Sequence, residues 1–148
     1  MKLFFLLLLT TFTLLTTTGC EQKSKTQIHE VHFDRDMCAR CAMVISDRKN
    51  TAQAVNPHTG KYYLFDDIGC MVLWFDDENI GWKDEALIWV TDAKSGKWID
   101  ARKAFYDTEN ITPMAYGFSA HASKGDIAKG QEIIDYNEVV KRVKAIGR

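Results

Sequence analysis

Three features of this 148-residue chain predict an α+β fold made of two small, related units packed together. Residues 43–91 alternate short apolar strands with one amphipathic segment, in the order β-β-β-α-β. A looser run of strands, helix and strand recurs over residues 93–148. Four Trp, five Tyr and eight Phe supply enough bulk for a core without disulfide stapling. The expected divisions are a leader over 1–19, a tether over 20–30 and a folded domain over 31–148. Within that domain the two halves are placed at about 36–92 and 93–148.

The leader comes first. Met1-Lys2 is a short positive start, Leu3–Leu15 is apolar, and Thr16-Thr17-Thr18-Gly19-Cys20 follows. An apolar run this short, with polar sequence close behind, predicts a secretory signal rather than a membrane-spanning helix. Gly19-Cys20 resembles the lipobox of bacterial lipoproteins, with Thr17 where Leu is usual. The expectation is therefore an extracytoplasmic protein lipidated at Cys20 and anchored to a bacterial membrane, facing the periplasm. Glu21–Gln27 has no apolar residue and reads as a flexible tether.

The folded elements are then expected in order. Val44-Ile45 and Thr51–Val55 read as strands on either side of the Asp47–Asn50 turn. After the turn Asn56-Pro57-His58-Thr59-Gly60, Lys61–Phe65 is a third strand. Asp66 or Asp67 caps a helix whose apolar stripe is Ile68, Met71, Val72 and Phe75, and Gly81 stops it. Ala86–Thr91 is the fourth strand. In the second unit Lys97–Asp100 and Ala115–Ala122 are strands, Lys124–Lys129 a short helix and Glu132–Ile134 a strand. Asn137 caps a terminal helix bearing Val139, Val140, Val143 and Ile146. A formal charge of −1, with no basic stripe interleaved with aromatics, argues against a nucleic-acid partner.

The chemistry is concentrated in Cys38-Ala39-Arg40-Cys41-Ala42-Met43. Two thiols and a thioether within six residues are soft donors that favour Cu(I) over hard or borderline ions. Lipidation would remove Cys20 from the thiol count and leave Cys38, Cys41 and Cys70. Three is an odd number, so a fully paired disulfide framework within one chain is impossible. Other uses of a Cys-x-x-Cys remain open at this point: a thioredoxin-like redox pair, part of a zinc site, or a plain disulfide.

These residues, Phe65-Asp66-Asp67-Ile68-Gly69-Cys70-Met71, and Thr112-Pro113-Met114-Ala115-Tyr116-Gly117-Phe118 leading to Ala120-His121-Ala122 occur in one order. Together with the lipobox-like start they resemble the NosL family of copper-binding lipoproteins, over roughly Asp36 to the C-terminus. The resemblance implies a Cu(I) metallochaperone rather than an enzyme, in an arrangement of two α+β units shared with organomercurial lyase. It implies delivery of copper for the copper–sulfide centre of nitrous oxide reductase. The copper donor is left unidentified, and a homodimer through a shared metal is left open. Carried over by residue, Cys41 and Met43 fall on the Cys-x-Met core and Met114 on the Pro-Met segment. Ala42 stands where many members have Gly or His.

The candidate metal ligands are then Cys41, Met43, Met114, Cys38 and His121. Cys41 heads the Cys-x-Met pair. Cys38 either ligates or pairs with Cys41 in a disulfide that must be reduced first. Pro113 marks Met114 as a turn or strand-edge position, and His121 follows on an expected strand. Cys70 and Met71 are expected in the core, and Asp66 and Asp67 as a cap. His58 is expected in solvent, and His29 and His32 beside the tether. The rival functions are a thiol–disulfide oxidoreductase and a zinc-stabilised binding module using Cys38 and Cys41. Carbon–mercury cleavage would rest on fold analogy alone.

Overall fold

The computed structural model describes residues 27–147. The expected leader, the lipidation site Cys20 and most of the tether lie outside the described residues. Among the described residues no helix is long and apolar enough to cross a membrane.

The centre of the fold is β1 (Ala52–Val55), buried along its whole length. It pairs antiparallel with β2 (Tyr62–Phe65) on one side and with β3 (Leu87–Thr91) on the other. The β1–β2 turn forms because the Asn56 side-chain oxygen accepts the His58 and Thr59 amides, at 2.8 and 3.2 Å. β4 (Trp98–Asp100) adds outside β3, giving the order β2-β1-β3-β4. The sequence reading put residues 97–100 in the second unit, whereas their strand completes the first sheet.

Side chains of β1 alternate between faces. Ala52 and Ala54 enter the main core. Gln53 instead accepts the His29 amide at 2.9 Å and donates to the His29 carbonyl at 3.2 Å, tying the incoming chain to the sheet. Helix α1 (Ile68–Asp77) packs on β1 and β2 and buries every residue from Ile68 to Phe75. Trp74 anchors it, stacking near Tyr63, Phe65, Phe75 and Trp82 with ring centroids 4.4–6.2 Å apart. The expected stripe was narrower than this. A helix covered on one side by a sheet and on another by a second helix is buried almost all round.

The remaining chain forms a two-stranded sheet and a closing helix. β5 (Phe105–Asp107), absent from the sequence reading, pairs with β6 (Ser119–His121). Three residues are too few for a periodicity to stand out. β6 is shorter than the expected 115–122 because Ala115 and Gly117 adopt φ of 57° and 85°, which breaks an extended run. Val44 and Ile134 each make a single bridge, to Met37 and Tyr106, rather than strands. The short helix contracts to a 3₁₀ turn over Lys124–Asp126. Helix α2 (Tyr136–Ile146) is capped by Asp135, two residues before the expected Asn137, and packs on α1 through buried Val139 and Val143. Asp135 accepts the Glu138 amide at 2.9 Å, a bond to the third helical residue that Asn137, already inside the helix, cannot make.

Candidate metal centre

Cys38 and Cys41 arrive on a tight hairpin. Met37 bridges Val44, the Cys38 amide donates to the Met43 carbonyl at 2.8 Å, and the Ala42 amide donates to the Cys38 carbonyl at 3.0 Å. The loop closes with Ala42 left-handed at φ 57°, a conformation that costs a residue with a Cβ about 1 kcal/mol. Continuing the register of the Met37–Val44 bridge sets Cys38 opposite Met43. Directly opposed residues share a face of the ladder, with Cβ atoms about 5 Å apart. The Ala39 amide donates to the Leu64 carbonyl at 2.8 Å, so the hairpin tip is pinned to the end of β2, where the acidic pair begins.

Asp66 and Asp67 divide the work at that junction. Asp67 is the N-cap of α1, accepting the Gly69 amide at 2.8 Å. Its other oxygen accepts the Met114 amide at 3.3 Å, so the same carboxylate fastens the Pro-Met segment to the helix. Asp66 faces the sulfurs: the Cys41 thiol donates to its two oxygens at 3.5 and 3.7 Å. Cys70, in the first turn of α1, completes the group. The ligand atoms of Cys38, Cys41, Asp66 and Cys70 all lie within 4.8 Å of one another. A metal about 2.3 Å from each sulfur requires sulfurs roughly 4 Å apart, so a small shift closes the set around an ion.

The four groups carry distinct charge states. The Cys38 thiol is pulled down to about 4, chiefly by the hydrogen bond from the Cys70 thiol. Backbone amides of Cys41, Asp66 and Arg40 add to this, against burial, which pushes the other way. Cys70 is driven far up, first by the Cys38 sulfur it donates to and then by burial. Burial, with the Cys38 sulfur adding to it, lifts Cys41 to about 11 and Asp66 to about 6. Near neutral pH the cluster therefore holds one thiolate, two thiols that donate to their neighbours, and a carboxylate that accepts. The thiolate is buried, Cys38 being 3 % exposed, as are Asp66 and Cys70, while Cys41 is partly open to solvent.

The sequence candidates distribute unevenly. Cys38 and Cys41 meet. Met43 is 48 % exposed, across the hairpin from Cys38, with Met37 55 % exposed on the same hairpin. Met114 is half-buried against the core and reaches the cluster's helix through Asp67. His121 belongs elsewhere: its Nε2 lies 3.1 Å from Asp107 Oδ2, within ion-pair reach though not aligned as a hydrogen bond. His29 stacks on Tyr62 with ring centroids 3.8 Å apart, His32 pairs with Asp36 at 3.3 Å and His58 with Glu85 at 3.2 Å.

Two members of the cluster escaped the sequence reading. Cys70 was expected as an inert core thiol and Asp66 as part of the cap. Their signal is positional: a strand ending in Asp-Asp and a Cys in the following first helical turn sit at one end of two packed elements. Nothing in the local pattern says that a hairpin some thirty residues upstream will dock there. The hairpin setting also bears on the redox alternative. The Cys-x-x-Cys occupies a loop, not the start of a helix that would activate its first thiol.

Neither a protein-family model nor a curated protein matches the chain. Among solved structures it is similar to the crystal structure of the copper chaperone NosL from Shewanella denitrificans, with a TM-score of 0.62 and 15 % identity. The match covers 76 % of this chain and 95 % of that one. What this likeness establishes is the fold, a mixed α/β domain of antiparallel sheets and two helices of the kind that the Shewanella protein has.

Proposed function

We propose that this chain is a Cu(I) metallochaperone that takes up copper at the Cys38–Cys41–Cys70 cluster and hands it to a partner. The observation that carries this reading is the convergence of three sulfurs and one carboxylate from three separate segments within 4.8 Å. Soft thiolates select Cu(I), whereas a carboxylate is a hard donor that this ion ignores. Asp66 is therefore assigned to accepting the Cys41 proton, and the thiolates of Cys38 and Cys41 to the metal. Met43 and Met114 supply neutral thioethers at the rim, and Cys70 supplies a third sulfur once deprotonated. The copper is cargo: it leaves when a recipient's donor enters an open position before the chaperone's own donor withdraws. Thioethers suit that exchange, since they need no proton on release.

The fold likeness to a copper chaperone supports the same reading. Delivery to nitrous oxide reductase, uptake from a separate copper donor, and anchoring through lipidated Cys20 outside the cytoplasm belong to the proposal. So does the two-unit arrangement shared with organomercurial lyase. The test is a Cu(I) titration of the reduced chain against a chelator of known affinity, with zinc as the control ion. Wild type, Cys41→Ser and Met114→Ala are compared. Tight Cu(I) binding, weakened in both variants and exceeding zinc binding, is expected. Equal affinity in all three proteins would remove these ligands, and tighter zinc binding with unfolding on chelation would favour the zinc-stabilised module.

A further inference from the structure

The Pro-Met segment is fastened beside the cluster at two points. One is the Asp67 cap described above. The other is Tyr116. Its ring lies against Gly69 so closely that a Cβ at that position would sit 2.1 Å from the ring. Glycine at the second residue of α1 is thus what lets an aromatic ring cover the helix start beside Cys70. The Tyr116 hydroxyl then lies 3.3 Å from Arg40 Nη1, on the hairpin between the two cysteines. Arg40 is held in turn by Asp77 at the far end of α1, Nε to Oδ2 at 2.7 Å.

The segment itself is a closed loop. Its base is closed by Asn110 donating to the Gly117 carbonyl at 3.1 Å. Glu109, Ala115 and Gly117 all have positive φ, placing sharp bends near both ends. The Arg40–Tyr116 bond joins the segment to the hairpin, and the Met114–Asp67 bond joins it to α1, both at 3.3 Å. Parting the first separates hairpin from segment while the second still holds the segment to the helix start.

We infer that Arg40 and Tyr116 form a latch that controls how fast a soft ion enters and leaves the sulfur cluster, without fixing how tightly it is held. Closed, the latch keeps the Tyr116 ring on Gly69 and Met114 near the cluster's helix. Open, it frees the α1 side of the cluster, including the fully buried Cys70, for an incoming donor. Arg40 and Tyr116 are positioning residues here, and the inference rests on the copper-exchange reading above.

The experiment uses Tyr116→Phe, which keeps the ring and removes the hydroxyl, and Arg40→Gln, in the full reduced chain. Cu(I) loading and release are followed by stopped flow against a chromophoric chelator, and affinity is measured separately at equilibrium. Losing one hydrogen bond to a charged group predicts loading and release each roughly tenfold faster. The dissociation constant should stay within about twofold, and the double variant should be no faster than Arg40→Gln alone, which already removes the contact that Tyr116→Phe removes. In metal-free protein, modification of Cys70 by a thiol reagent, mapped by mass spectrometry, should accelerate by a similar factor at temperatures where both variants stay folded, with the melting temperature lowered by no more than about 5 °C. Unchanged rates would overturn the latch, as would a rise in release matched by weaker affinity, because the residues would then hold the ion rather than admit it. If the wild type binds no Cu(I), the copper reading fails. The Cys70 rate still decides whether the latch exists: acceleration in both variants keeps it as a cover over the thiols, and no acceleration removes it.

Discussion

Two of the polar clusters that the described residues bury are built on opposite plans. At the sulfur cluster, a hairpin, a strand end and a helix start each contribute, and one donor, Cys41, is partly exposed. The His121–Asp107 pair comes from two neighbouring strands of one small sheet, with side chains only 8 % and 7 % exposed. The sulfur cluster keeps labile protons on Cys41 and Cys70 that an ion can displace. His121 instead faces one carboxylate that is itself engaged by the Asn110 side chain. Convergence from separate elements with one open side is what a transfer site requires. Adjacency within a sheet, closed to solvent, is what a structural pair requires.

The sharpest way to break that contrast is to remove one member of each. Cys38→Ser should weaken Cu(I) binding by roughly a hundredfold or more, a ligand's share of a thiolate site's binding energy. His121→Ala should leave that affinity within about twofold. A competition titration on both variants decides it, and a hundredfold loss in His121→Ala would return His121 to the ligand set.

Stability should respond in the other direction. In His121→Ala the Asp107 carboxylate stays buried without its histidine, at a cost of about 2 kcal/mol. Urea unfolding of the metal-free proteins should detect this, and Cys38→Ser provides the comparison. A neutral His121→Ala would mean that the pair is not structural.

The pH dependence separates two members of the sulfur cluster from each other. The folded-state pKa of Asp66 is raised to about 6 from 3.8, so its contribution to stability is present below 3.8 and lost as the pH rises through about 6. Asp66→Asn removes that loss, and the metal-free variant should gain on the order of 1–2 kcal/mol over wild type at pH 8 relative to pH 4, allowing for solvent screening. Cys38 acts with the opposite sign. Its depressed pKa gives stability that is complete above the ordinary thiol value of 9 and is lost as the pH falls towards about 4. Thiolate absorbance should therefore report one thiolate with a midpoint near 4, moving upward in Cys70→Ala, which lacks the thiol that donates to it. A cluster with no thiolate at pH 6 would contradict this charge assignment.

The smallest expected effect lies in the hairpin loop. Ala42→Gly relieves the left-handed strain, worth about 1 kcal/mol, though part is offset by the greater freedom of glycine in the unfolded chain. A net gain of a few tenths of a kcal/mol in thermal unfolding is expected. A net loss would show that the loop needs the methyl group for packing.

Much of this protein is legible in the chain by itself. Aromatic and β-branched runs bounded by Asn-Pro-His-Thr-Gly and Ser-Gly turns place β1 to β4 within a residue or two, and the Asp-Asp preceding an apolar stripe marks the start of α1. Those signals are local, a matter of periodicity and turn chemistry that neighbouring residues impose on each other. The softness of the Cys-x-x-Cys-x-Met donors is local too, and it points to copper before any fold is known. What the tertiary structure alone decides is the company these donors keep. Cys70 looks like core and Asp66 like a cap until the Ala39–Leu64 bond sets the hairpin against the end of β2. His121 looks like a ligand until β5, too short to be read from sequence, brings Asp107 beside it. Which groups share a site depends on contacts between residues far apart in the chain, and no local pattern records them.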